Sequence, residues 1–338
     1  MIAYRSRAPV RISFGGGGTD VSPYAEEKGG CVINAAISRY NYAAGSFRTD
    51  ERIVIEDGEY AQELLLFHPD KNEMAMDGRM ELVNAVIRKM NRGKRGVELY
   101  IRSDVPPKSG LGSSASAFVA LIGLFNSMNG VELSRQEIAE LAVKLEREEL
   151  GNFGGRQDQY ASAFGGINFL EFGEGRVRVN KVRISRAHVF ELEKSLVMVY
   201  VAKRKSSGDI IADQIKRYSD GKSETVWALD KAKETALEMR KVLEKGDLNE
   251  FGKLLDESWK IKKMFSPLIT NRRVDKIYEE AKKAGALGGK ISGAGGGGFM
   301  FFYCEPNKEH KVAERLKGLG LEPKWIRFDF GGLETWET

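Results

Sequence analysis

PPKSGLGSSASAF, residues 106–118, runs from a Pro-Pro turn through a glycine loop into an apolar stretch at helical spacing. Ala115, Phe118, Val119, Ile122 and Phe125, with Leu121 beside them, share one helix face and predict a helix over 114–128. A loop that feeds directly into a helix N-terminus presents unpaired N–H groups and the positive end of the helix dipole, which together favour an anion. Gly110 and Gly112 let backbone approach a ligand where a Cβ would block it. Lys108 adds a mobile positive charge, and Ser113 and Ser114 supply hydroxyls suited to phosphate or Mg²⁺. A capped core helix after a turn is the plainer explanation. Proline, two glycines and two serines in this order favour anion binding instead. The segment is not a Walker A loop, since no G-x-x-x-x-G-K-[ST] occurs in the chain.

This loop is one of three glycine clusters, and glycine is the compositional outlier. Thirty-eight of 338 residues are glycine, about one in nine, against an average near ~7%. Proline numbers only 8, so the composition is not that of a disordered chain. The clusters lie at Gly15–Gly18, at Gly110 and Gly112, and at Gly293 with Gly295–Gly298. Length suggests two domains. A formal net charge of +5 is too mild to argue for nucleic acid. Cys31 and Cys304 cannot form a disulfide framework and fit a reducing, cytoplasmic setting. His68, His188 and His310 lie far apart, without metal-ligand spacing. The longest apolar run, Ala115–Phe125, is about half the ~20 residues needed to span a bilayer. The opening MIAYRSRAPVR shows no secretory apolar region.

Strands are expected at 2–14, 32–47, 52–55 and 97–103. Ser134 and Glu137 form a capping box that starts a second helix, with Ile138, Leu141, Ala142 and Leu145 on its buried face and an end near Gly151. A strand is expected at 195–201. Helices follow at 207–218, 225–244, 248–264 and, from an N-cap at Asn271, to Ala284. After the last glycine cluster come a strand at 299–304, a helix opened by Pro306 at its first position and running to about Lys317, and a final strand at 325–329. The order is α+β, with a division near residue 190 into units 1–190 and 191–338.

Other segments carry candidate chemistry. Gly293–Gly298 formally matches G-x-G-x-x-G, but a dinucleotide fingerprint needs a helix after it and here a strand follows. Close approach to a ligand or to the other loop explains the glycines better. In APVRISFGGGGTD, Arg11 lies on a strand and Asp20 just past the glycines. An ion pair and a turn cap are the plain readings, beside a carboxylate presented to sugar hydroxyls. Glu146, at the edge of an apolar helix face, reads as a solvated boundary carboxylate. Asp158, in GNFGGRQDQYAS, stands near the start of a short helix, where the dipole favours a carboxylate in either a structural or a catalytic role. Lys203–Lys205, Lys260–Lys263 and Arg272–Arg273 read as solvated faces. If one faces a cleft, Lys205 with Ser206 is the pair suited to a second phosphate.

The three glycine segments, in this order and across essentially the whole chain, resemble the GHMP small-molecule kinase superfamily. PPKSGLGSSAS resembles that family's ATP loop, and KISGAGGGGF its C-terminal glycine motif. RAPVRISFGGGGTD, GGRQDQYASAFGG and SWKIKKMFSPLITN are similar to the heptose kinases that act on D-glycero-D-manno-heptose 7-phosphate. Galactokinases carry G-E-H-T-D where this chain has glycines before Thr19 and Asp20, and L-fucokinase is a more distant relative.

The resemblance implies an N-terminal ribosomal-protein-S5-domain-2-like unit, a C-terminal ferredoxin-like unit and a site in the cleft between them. It implies ATP on Lys108, Ser109, Gly110, Leu111, Gly112, Ser113 and Ser114, and Mg²⁺ on Ser114 and Glu146. Asp158 would be the catalytic aspartate, with Arg11 beside it. Gly17, Gly18, Thr19, Asp20, Gly295, Gly296, Lys205 and Ser206 would hold substrate. The implied partner is a phosphorylated sugar, with neither nucleic acid nor membrane. The implied reaction is phosphorylation of its anomeric hydroxyl to a 1,7-bisphosphate. L-Fucose, another free sugar and a mevalonate-like acceptor stay open at this level. So do a non-catalytic nucleotide or sugar sensor on the same fold and a polyanion-binding module using the basic faces.

Overall fold

The alternation of Val10, Ile12 and Phe14 with Arg11 and Ser13 makes a strand with one apolar and one polar face. In a computed structural model of the chain, that strand lies within the larger of the two sheets among the described residues. The structure describes residues 3–58, 62–67, 80–91, 95–173, 175–203 and 207–338. In chain order the elements begin with β1 (Tyr4–Gly15), α1 (Tyr24–Lys28), β2 (Gly30–Phe47), β3 (Ile53–Asp57), β4 (Gln62–Phe67), α2 (Glu81–Met90), β5 (Val97–Ser103), α3 (Ser113–Met128) and α4 (Arg135–Lys144). A π-helical turn, Leu145–Glu149, ends α4. Next come α5 (Gln157–Phe164), β6 (Ile167–Gly173), β7 (Arg176–Lys181), α6 (Arg186–Ser195) and β8 (Leu196–Ala202). The chain continues with α7 (Ser207–Ser219), α8 (Ser223–Lys245), α9 (Leu248–Lys263), α10 (Arg272–Ala284), β9 (Ala286–Ile291) and β10 (Gly298–Cys304). It finishes with α11 (Glu309–Gly318), β11 (Pro323–Trp325) and β12 (Glu334–Glu337).

Among the described residues the first sheet has the order β12-β1-β2-β5-β3-β4, with β6 on β2 and β7 on β6. The second has the order β11-β8-β10-β9 and is antiparallel throughout. β2 is long enough to pair β6 along Gly30–Ala35 and β5 along Asn41–Phe47. One side of β1 packs toward the second sheet and its helices, where Val10, Ile12 and Phe14 bury with Met239, Phe251 and Phe301. Phe14 meets both Phe251 and Phe301 edge-on. Ala8 and Val32 bury on the other side with Phe118, Val119 and Ile122 of α3. From Ala8 to Gly15 the strand is thus buried, and a polar side chain there reaches water only through a cavity.

The pairing of β1 with β2 shifts register between Pro9 and Val10, as expected where proline cannot donate to the ladder. Hydroxyls from two helices serve the carbonyls there. Ser116 Oγ of α3 donates to Ala8 at 2.7 Å, and Ser162 Oγ of α5 donates to Pro9 at 2.6 Å. Two residues on, the Arg11 N–H donates to the Leu111 carbonyl at 2.9 Å, tying the strand to the loop before α3.

Three local expectations change. The helix expected from Pro306 starts at Glu309, because Asn307 adopts a left-handed turn conformation at φ 61°. The strand expected at 325–329 is Pro323–Trp325, with Phe328 making only an isolated bridge to Ile37. The last strand is instead β12, paired with β1. The β6–β7 hairpin, an apolar run between glycines, was not anticipated. Cys31 and Cys304 are buried, and burial pushes both thiols up to about 12. No helix among the described residues is long and apolar enough to cross a membrane.

Ser162→Ala leaves the buried Pro9 carbonyl without its side-chain partner, so the unfolding free energy should fall by about 1–3 kcal/mol in urea unfolding. An unchanged midpoint would show that α5 is held to β1 without this bond.

Candidate active site

Arg11 projects from the polar side of β1 and is 4% exposed. Its Nε donates to Asp158 Oδ1 at 2.8 Å and its Nη2 to Oδ2 at 2.6 Å. Nη1 donates to the Gly110 carbonyl at 2.6 Å and to Ser292 Oγ at 3.2 Å. One planar cation therefore joins β1, the loop before α3, the first turn of α5 and the second glycine loop. The flat fork of a guanidinium suits this task, and a lysine ammonium does not.

Asp158 is the second residue of α5, and Asp20 sets where that helix begins. Asp20 Oδ2 accepts from the Gln157 N–H at 3.1 Å and from Gln157 Nε2 at 3.3 Å, while Oδ1 accepts from the Gly18 N–H at 2.9 Å. A Cβ at Gly155 would stand 2.0 Å from Asp20 Oδ2, so the glycine before α5 admits this carboxylate. Gly112 is the N-cap of α3, in the left-handed region at φ 76°, with no side chain capping the helix. A Cβ there would lie 3.0 Å from Asp158 Oδ2. Glycine at 112 thus turns the chain, leaves the helix end without a side-chain cap and brings the aspartate against the loop.

The second glycine loop packs on the first. The Phe299 N–H donates to the Ser109 carbonyl at 2.8 Å, and a Cβ at Gly293 would stand 2.7 Å from the Gly110 carbonyl oxygen. Strands β9 and β10 flank this loop, so it is not a dinucleotide fingerprint.

A cavity of about 220 Å³ opens between these loops. Of the expected residues, Arg11, Gly17, Gly18, Asp20, Lys108, Ser109, Gly110, Gly112, Ser113, Ser114, Glu146 and Asp158 line it. Four do not. Leu111 has its side chain in the apolar core and its carbonyl on Arg11. Thr19 is buried, with Oγ1 2.8 Å from the Gly16 carbonyl and accepting from the Cys31 N–H at 3.1 Å. Gly295 and Gly296 pack against Ile269, whose carbonyl accepts the Gly296 N–H at 2.8 Å. Lys205 and Ser206 lie outside the described residues.

Glu146 corrects its expected place at a solvated boundary. It is buried in the π-helical turn, and its Oε2 accepts from Gln159 Nε2 at 2.5 Å. The expectation of a solvated Lys260–Lys263 face also fails in part. Lys260 is exposed and paired with Asp256, but Lys262 is buried and lines the cavity. The signal was available in the spacing, because Ser258, Ile261, Lys262 and Phe265 share the buried side of the segment.

Lys290, just ahead of the second glycine loop, was also missed. Its Nζ donates to the Phe14 carbonyl at 3.1 Å and to Ser258 Oγ at 3.2 Å. Burial first, then the charges of Lys262 and Arg11, hold its ammonium well below the usual lysine range.

Profile comparison matches "GHMP kinases N terminal domain" to residues 81–166 and "GHMP kinases C terminal" to residues 239–320. The chain is 33% identical to the D-glycero-alpha-D-manno-heptose 7-phosphate kinase of Campylobacter jejuni, over 99% of both proteins. It is 28% identical to the mevalonate kinase of Pyrococcus furiosus, over 91% of this chain and 92% of that one. A solved D-glycero-D-manno-heptose 1-phosphate kinase from Bacteroides thetaiotaomicron superposes with a TM-score of 0.82 at 31% identity, over 99% of both chains.

Arg11→Lys keeps the charge but cannot serve both Asp158 oxygens and the Gly110 carbonyl, so the unfolding free energy should fall by about 2–3 kcal/mol. Wild-type stability in this variant would show that the arginine does not hold the loops together.

Proposed function

This chain belongs to the GHMP kinases, and on that premise we propose that it transfers the γ-phosphoryl group of ATP to the anomeric hydroxyl of D-glycero-D-manno-heptose 7-phosphate, giving the 1,7-bisphosphate. It is an ATP-dependent small-molecule kinase, and its whole-chain relatives support a sugar phosphate as acceptor. The observation that carries the chemistry is a single carboxylate, Asp158, clamped by Arg11 against a glycine loop at a helix N-terminus. The relatives' names differ on whether the acceptor's phosphate stands at carbon 7 or carbon 1, but both describe a heptose monophosphate.

Phosphoryl transfer asks the protein mainly for positioning and charge stabilisation. In this reading Lys108–Ser114 and the first amides of α3 hold the triphosphate. Asp158 orients the acceptor hydroxyl and receives its proton. Arg11 keeps Asp158 in place and sets positive charge beside the group in transfer. Gly17 and Gly18 border the acceptor. Asp20, with both oxygens already accepting protein N–H groups, acts by fixing the start of α5.

The donor set also fits Mg²⁺. Ser114 and the buried Glu146 offer a hydroxyl and a carboxylate to the cavity, and no cluster of three or more His, Cys, Asp or Glu occurs among the described residues. A cation bound through few protein oxygens, with phosphates and waters completing its shell, matches such a set. It would neutralise charge on the β- and γ-phosphates. In the same reading residues 1–190 form the ATP-binding unit and 191–338 the C-terminal unit, with β12 returning to β1.

ATP consumption should follow addition of heptose 7-phosphate and stay at background with heptose 1-phosphate, L-fucose, galactose and mevalonate. Preference for any of these others would replace the acceptor named here. Asp158→Asn should lower kcat by at least ~10²-fold, in line with loss of a positioned base. Turnover within tenfold of wild type would remove Asp158 from that role and favour a different base.

A further inference from the structure

Three buried polar side chains of the cavity wall gather beside Gly17, around the point where a Cβ on that residue would stand. From that point Ser13 Oγ lies 3.0 Å away, Gln157 Nε2 3.2 Å and Lys262 Nζ 4.0 Å. Ser13, Gln157 and Lys262 are each more than nine-tenths buried, and all line the cavity. Ser13 Oγ and Gln157 Oε1 have no hydrogen-bond partner in the protein. Buried polar atoms without partners cost stability and call for an explanation, such as a ligand that satisfies them. Gly17 has no left-handed backbone requirement. A side chain there would press on Ser13 and Gln157 and narrow the cavity beside Lys262.

The chemistry of the three groups favours an anion. Ser13 Oγ and Lys262 Nζ can donate to it, and so can the second N–H of Gln157 Nε2, whose first goes to Asp20 Oδ2, while the unpartnered Gln157 Oε1 suits a hydroxyl of the same ligand. The neighbouring carboxylate, Asp20, already accepts from the Gly18 and Gln157 N–H groups. Among the lining residues Arg11, Lys108, Arg147 and Lys262 outnumber Asp20, Glu146 and Asp158, even with Lys290 left out.

Position separates this group from the reacting centre. Arg11 and Ser13 lie two residues apart on one side of β1, roughly 7 Å along the strand. One sugar ring with its exocyclic carbons bridges such a distance.

We propose that Ser13, Gln157 and Lys262, on the cavity wall beside Gly17, hold the phosphate ester of the acceptor while its reacting hydroxyl lies at Asp158. This rests on the reading of the acceptor as a sugar phosphate. The subsite makes Lys262 the residue that distinguishes a phosphorylated sugar from a free one.

The test compares kcat/KM for D-glycero-D-manno-heptose 7-phosphate and for the free heptose, in the wild type and in Lys262→Gln. The wild type should prefer the phosphorylated sugar. Lys262→Gln should cut that preference by about 10- to 100-fold, the range for a lost charged hydrogen bond, with the KM for ATP unchanged. A wild type without the preference contradicts the acceptor reading, and this subsite falls with it. A wild type that prefers the phosphate while Lys262→Gln keeps the full preference, or loses both acceptors equally, overturns the subsite alone. Should Lys262→Gln melt early or lose ATP affinity, Gly17→Ala decides. Its methyl presses on Ser13 and Gln157 and should raise the KM for heptose 7-phosphate at least tenfold more than that for the free heptose. An equal KM change for both sugars overturns the proposal.

Discussion

The buried Arg11 guanidinium is the constraint on which the site depends. A cation at 4% exposure must have every side satisfied. It finds its partners on three other segments, at Asp158, Gly110 and Ser292. Those segments are far apart in sequence, so the bonds of one side chain carry much of the tertiary information of the cleft. The backbone of the same residue adds a further tie, to the Leu111 carbonyl. The strand that presents Arg11 is in turn pinned by hydroxyls at the carbonyls where proline disturbs its ladder.

The glycine excess follows from this crowding. Gly112 admits Asp158 beside the loop before α3, Gly155 admits the Asp20 carboxylate, and Gly293 admits the Gly110 backbone. Gly17 is different, because its missing Cβ would meet the polar side chains of Ser13, Gln157 and Lys262 at the cavity wall. Glycine in this protein therefore has two places: most of these positions bring protein against protein, and one lies on the cavity wall.

Much of the site was legible because its signals are local. A glycine loop running into an apolar helix announces an anion site, and Arg11, Asp158, Lys108 and Ser114 all lie in or beside such segments. What escaped depends on tertiary packing. Glu146 looked like a boundary residue because a π-helical turn, invisible in an ideal helical spacing, turns it inward. Lys262 was grouped with its solvated neighbours by charge, although its place on the buried stripe of α9 set it apart. Thr19 and Gly296 sit within glycine motifs but serve to hold those motifs down, at Cys31 and Ile269. The C-terminal strand was misplaced because its partner, β1, is more than 300 residues away in sequence.

The central claim is that Arg11 holds Asp158 where the acceptor hydroxyl reacts. A crystal structure of the enzyme with a non-hydrolysable ATP analogue and heptose 7-phosphate tests it most directly. The reacting hydroxyl should lie within ~3 Å of an Asp158 oxygen, with both bonds from Arg11 to that carboxylate intact and the triphosphate on the loop before α3. A hydroxyl bound instead at Asp20 or Glu146, or an Arg11 released from Asp158, would contradict it.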